Sequence, residues 1–221
     1  MVVQTEKGEK NMNGIRMAVV IIGIAVGSSA VMGLVKKKIF TDIYLALNSR
    51  DYNGFFEKVD AKWARAMLPE YSRENMKLSA YMRLDDAKKV SGQFNNMMKN
   101  SMNSSQLAGL LVRGYDYFFH QMDGTKCDRI YEKMKEVLDP KQLEKYKRHN
   151  EIVFWQSTEY TEQLEAEVNS HRGKMKGYLE YLLSVSYGSA GNKETCENYL
   201  KKAAEEYKIN AAGIEKQIQI M

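Results

Sequence analysis

The chain has 221 residues, of which 28% are charged, with a net charge of +5, two prolines and two cysteines. That length allows one or two domains, each with a real core. The charges are of mixed sign, form no basic stripe and belong to no recognisable module, which excludes nucleic-acid binding from the reading, and neither cysteine has a metal or redox spacing.

Residues 1–16 are polar and read as a disordered tail. Met17 to Val35, MAVVIIGIAVGSSAVMGLV, is an uncharged run of near-spanning length, bounded by Arg16 and by Lys36, Lys37 and Lys38. It is expected to be a single transmembrane helix whose flanking lysines reach the interface. A signal peptide cleaved near Ser28, Ser29 and Ala30 is the competing reading, but the apolar run continues to Val35. Gly23 and Gly27 form a GxxxG, the candidate packing face for a homodimer in the membrane. Lys7, Lys10 and Arg16 on one flank nearly balance the three lysines on the other, so orientation stays open. The lysine cluster and two apparently free thiols tilt it towards a cytoplasmic C-terminal domain.

Residues 36–50 are expected to continue the helix out of the membrane, with Ile39, Phe40, Ile43, Tyr44 and Leu47 on one side. Asp51 to Leu68 reads as one helix, with Phe55, Phe56, Val59, Trp63 and Met67 at three- and four-residue steps, stopped by Pro69. Tyr71–Leu84 and Ala87–Lys99 form a hairpin around Asp85 and Asp86. Asn103 and Gln106 have capping-box spacing before the next helix, which turns at Asp123 and Gly124 and returns over 125–138. Asp139 and Pro140 open another helix as N-cap and first residue. Residues 141–170 are the least regular, with a division near Ser157 and Thr158. The final hairpin runs to Gly191 and returns over KETCENYLKKAAEEY, leaving 208–221 as a tail or capping helix. No strand is expected, and 51–207 reads as one helical domain.

One residue register recurs through these elements. Tyr187, Cys196, Leu200 and Ala203 have counterparts at the same offsets in Phe118, Cys127, Tyr131 and Met134, and in Tyr81, Val90, Phe94 and Met97. A weaker copy surrounds Phe55, with Ala46, Val59 and Lys62. The anchors 55, 90, 127 and 196 are separated by 35, 37 and 69 residues. The hairpins resemble tetratricopeptide repeats, which pair two antiparallel helices in about 34 residues. The pattern departs from the family's in its Met and Val at small positions and in its scarcity of proline. A basic anchor followed by divergent repeats is also similar to membrane proteins of Gram-positive bacteria. The expected fold is all-α: one transmembrane helix and then a tetratricopeptide-like α-solenoid of antiparallel hairpins.

The resemblance implies a membrane-tethered adaptor that holds a protein or peptide partner in a concave groove. Arg83, Arg113, Tyr117 and Tyr178 are its candidate lining residues. A self-associating membrane scaffold is the alternative, and a tethered enzyme the second. His120, His149 and His171 fall on separate helices, and there is no HExxH, P-loop or GxSxG. No catalytic residue, metal or cofactor is therefore expected.

Overall fold

The structure, a computed structural model, describes residues 31–209. The expected tail 1–16, most of the span 17–35 with Gly23 and Gly27, and residues 210–221 lie outside the described residues. Among the described residues every regular element is a helix, and no helix is long and apolar enough to cross a membrane. The chain divides into two compact units after Met97. The span 51–207, expected as one domain, covers parts of both.

The first unit contains α1 (helical over 31–48), α2 (Tyr52–Asp60), α3 (Lys62–Met67), α4 (Glu70–Arg83) and α5 (Ala87–Met97). Ile39, Ile43, Ala46 and Leu47 of α1 share one core with Phe55, Val59, Ala64, Leu68 and Ala80. The helix expected to be a juxtamembrane connector is therefore a wall of this unit. Phe40 and Tyr44, expected on the same side as Ile43, turn outward and stack on each other with ring centroids 6.4 Å apart. Positions 39, 43, 46 and 47 fill a stripe narrower than the sequence pattern allowed. The expected helix Asp51–Leu68 is broken at Ala61, where ψ is 147°. The break re-aims α3 so that Ala64 and Leu68 enter the core and Trp63 faces solvent. Lys77 of α4 pairs with Asp60 at 2.6 Å beside the break.

The second unit contains α6 (Ser104–His120), α7 (Gly124–Met134), α8 (Pro140–Val153), α9 (Thr161–Val168), α10 (Gly173–Ser189) and α11 (Lys193–Tyr207). The capping box forms as expected: Asn103 Oδ1 accepts from Gln106 N at 2.9 Å and Gln106 Oε1 from Asn103 N at 3.2 Å. Asp139 caps α8 through Gln142 N, with Pro140 at the first position. Helix α10 packs against α8, α9 and α11 and is buried on most sides. It crosses α11 closely: a Cβ at Gly177 would lie 2.9 Å from the Tyr207 ring, and one at Gly188 would lie 3.3 Å from Cys196 Sγ.

The recurring register has a backbone counterpart. Helices α1, α4, α6 and α10 each end on a left-handed residue: Arg50, Asp85, Met122 and Gly191. At each end the amide of that residue and the amide after it turn back onto the helix's last carbonyls, as in Arg50 N to Leu47 O and Asp51 N to Ala46 O. This is the Schellman arrangement. The next residue (Asp51, Asp86, Asp123 or Asn192) then caps the following helix with its side chain. Four residues later the first helical amide, that of Phe55, Val90, Cys127 or Cys196, closes on the capping residue's carbonyl. The four corners have the 35-, 37- and 69-residue spacing of the sequence register. Phe55, Val90 and Cys127 are fully buried, and Cys196 is half-buried.

Candidate functional site: a basic cleft beside the first helical corner

The corner between α1 and α2 opens onto a cleft of about 610 Å³, lined by Asn48, Arg50, Tyr52, Arg83 and Leu84. Each wall is placed by local chemistry. Asp51 fixes the start of α2 by accepting from Gly54 N at 3.0 Å, which sets Tyr52 at the first position of that helix. Arg50 occupies the left-handed position with φ 61°, where glycine is the favoured residue. Arg83, the last residue of α4, donates from Nη1 to Leu47 O at 3.1 Å and to Asn48 Oδ1 at 3.0 Å. It thereby satisfies a carbonyl at the end of α1 and brings its positive charge to the negative end of that helix.

Among the described residues neither Arg50 nor Arg83 forms an ion pair with a carboxylate. Of the acidic residues in the adjacent turns, Asp51 caps α2, and Asp86 accepts from Lys89 N at 3.0 Å and pairs with Lys89 Nζ at 3.3 Å. The cleft thus presents two guanidinium groups with an amide, a phenol and one leucine wall. Such a surface can bind anions.

The groove candidates separate. Arg83 lines this cleft, in the first unit. Arg113, Tyr117 and Tyr178 belong to the second. Arg113 is half-buried on α6. Tyr117 is buried, with its ring edge-on to Phe118. Tyr178 is 1% exposed, so it is a core residue and not a groove residue. Its helix packs against three others, α8, α9 and α11. Sequence reasoning missed Arg50. Its signal was available: it stands immediately before the Asx of a recurring corner, where the last hairpin has Gly191.

The second unit holds a buried polar cluster. Asn150 Oδ1 accepts from the Tyr115 hydroxyl, and Asn150 Nδ2 donates to Asp128 Oδ1 at 3.2 Å. The Tyr178 hydroxyl lies 3.3 Å from His149 Nδ1. His149 is fully buried and edge-on to Phe119, with centroids 3.9 Å apart, and its Nε2 has no hydrogen-bond partner. Burial, aided by the nearby His120 and Arg148 charges, lowers its pKa to about 3. Burial raises the Asp116 carboxyl to about 6 against the opposing pull of Lys145, and Asp116 Oδ1 is unpartnered. Burial also pushes the Cys127 thiol far up; the thiol points at Tyr115 O, 3.9 Å away. Burial thus keeps the His149 imidazole neutral and the Cys127 thiol protonated. A smaller cleft of about 340 Å³ lies along α6 and α8, between Gly109, Val112, Leu138 and Lys145.

No protein-family model, curated protein or solved structure matches this chain.

Proposed function

We propose that this chain is a membrane-tethered helical adaptor that binds a protein or peptide partner. The observation that carries the reading is the continuity of α1. Residues 31–35 are helical, apolar and exposed; Val31 is 60% and Leu34 69% exposed. Lys36, Lys37 and Lys38 follow, and within one further turn the same helix enters the core of the first unit. Apolar side chains left in water for more than a turn are costly. They fit a helix end where the apolar run from Met17 to Val35 meets the lipid interface. A rigid helix shared by anchor and domain would hold the binding surface at a fixed height and raise its local concentration on the membrane. The tetratricopeptide-like reading draws support from the four corners, which give four of the helix pairs one pattern of turn hydrogen bonds; the α8–α9 connection does not share it.

The test is fractionation of cells expressing the full chain, with alkaline carbonate washing and protease accessibility of the C-terminal units. Retention in the washed membrane, lost when residues 17–35 are deleted, is the expected result; release of the full chain by carbonate would refute the anchor. The scaffold alternative has one observation of its own, the outward face of α1 with Phe40, Tyr44 and Leu45 exposed. Removal of residues 1–38 separates the two: a monomer in sedimentation favours the adaptor, a persistent dimer the scaffold.

A further inference from the structure

We infer that the cleft of Asn48, Arg50, Tyr52, Arg83 and Leu84 is a docking site for an acidic segment of a partner protein. The inference deepens the adaptor reading and rests on it. Three observations converge. First, two arginines without carboxylate partners line one concave space. A guanidinium presents a planar fork that matches a carboxylate with two parallel hydrogen bonds. Second, Arg83 is pre-positioned. Its Nη1 is held by Leu47 O and Asn48 Oδ1, so its orientation is set before a ligand arrives. Third, the left-handed position that Asp85, Met122 and Gly191 fill at the other corners is filled here by a cation, so the corner geometry itself does not ask for the charge.

The size and place of the cleft select the occupant. At about 610 Å³ it exceeds what one small anion fills, and Leu84 and the Tyr52 ring offer contact to a peptide's carbon skeleton. A lipid headgroup is a poorer fit. Asn48 is ten residues beyond Lys38 on a continuous helix, about 15 Å along its axis. With the lysines at the interface and α1 near the membrane normal, the cleft stands out in the aqueous phase, more than a Debye length from the headgroups at physiological salt.

The experiment uses the full chain in nanodiscs of zwitterionic lipid and a fluorescein-labelled hexaglutamate peptide, with hexaglutamine as control, read by fluorescence anisotropy. The wild-type chain should bind hexaglutamate and not hexaglutamine, with affinity falling as salt rises. Arg50→Gly should weaken binding about tenfold or more, because it removes one of two charge-assisted contacts. That variant keeps the corner, since glycine is the preferred residue there, and circular dichroism checks that the helices are retained. Arg50→Lys, which restores charge without the fork, should bind between the two. Equal affinity of wild type and Arg50→Gly overturns the assignment. So does displacement of the peptide by an equal concentration of inorganic phosphate, which would mark a small-anion site, or by phosphatidylglycerol vesicles, which would mark a lipid site. Photo-crosslinking in native membranes separates this inference from its premise. A crosslinked protein partner that persists in Arg50→Gly leaves the adaptor reading standing and removes the cleft from it. Arg50-dependent peptide binding with no protein crosslinked to the wild-type chain refutes the adaptor reading and takes the protein partner from the cleft with it, leaving an anion-binding cleft.

Discussion

Acidification should act on the second unit through two groups of opposite sign, the buried His149 and the half-buried Asp116, and a single substitution should expose one of them. The folded His149 has a pKa of about 3 against 6.5 for the unfolded chain. Between these values the unfolded state binds the extra proton, so stability is lost as pH falls through 6.5 towards 3. From pH 7.5 to pH 5 the loss is about 2 kcal/mol, at about 1.4 kcal/mol per pH unit. Asp116 works the other way. Its folded pKa of about 6 lies above the usual 3.8, so the folded state binds the extra proton in that window. The cost of its half-buried charge is full above pH 6 and is relieved on acidification, by about 1.4 kcal/mol between pH 7.5 and pH 5. In the wild-type chain the two nearly offset. Asp116→Asn should raise stability at pH 7.5 by about 1–3 kcal/mol, since it removes a half-buried carboxylate but not its polarity. It should also make the unit lose about 2 kcal/mol more at pH 5 than at pH 7.5, where wild type loses under about 1 kcal/mol. The assay is urea unfolding of the full chain in mild detergent. Each unit contains one tryptophan, Trp63 in the first and Trp155 in the second. A Trp63→Phe background therefore lets Trp155 fluorescence report the second unit alone. Equal pH slopes for wild type and Asp116→Asn would refute the reasoning.

Three further outcomes are expected. Met122 sits at the left-handed corner after α6 with φ 53°, so Met122→Gly should stabilise the second unit by about 0.5–1 kcal/mol, and Gly191→Ala should destabilise it by a similar amount, both read in the same unfolding assay. Asn150→Ala should cost about 2–4 kcal/mol, because it strips the Tyr115 hydroxyl and Asp128 of a buried partner; a loss under about 1 kcal/mol would mean that water replaces the amide. Cys196 should alkylate with iodoacetamide well before Cys127 in the native chain, as mass spectrometry of timed digests would show, since Cys127 is fully buried with its thiol held protonated and Cys196 is half-buried.

Much of the local structure was legible in the sequence because it is written in short-range chemistry. Asp51, Asp86, Asp123, Asp139 and Asn192 cap helices through amides three residues ahead, and such caps depend on little beyond their own turn. The candidate site was legible only in part. Arg83 was named as a polar position on the first helix of a hairpin, and it lines the cleft. Arg50 was missed although it precedes Asp51 as Gly191 precedes Asn192, because the sequence around it reads as an ordinary polar turn and the left-handed backbone is seen only in the structure. Tyr117 and Tyr178 were misplaced because an aromatic at helical spacing looks the same whether its helix has one packed face or several.

The sequence by itself determined that the described chain is helical, where its corners fall and at what spacing they recur. Each of these follows from propensity, capping and punctuation within a few residues. The tertiary structure alone decided that α1 is a wall of the first unit, that the helix expected over Asp51–Leu68 breaks at Ala61, that the chain divides after Met97, and that α10 is enclosed. Those outcomes depend on which apolar faces meet, and residues distant along the chain choose them by shape and volume, which no local pattern encodes.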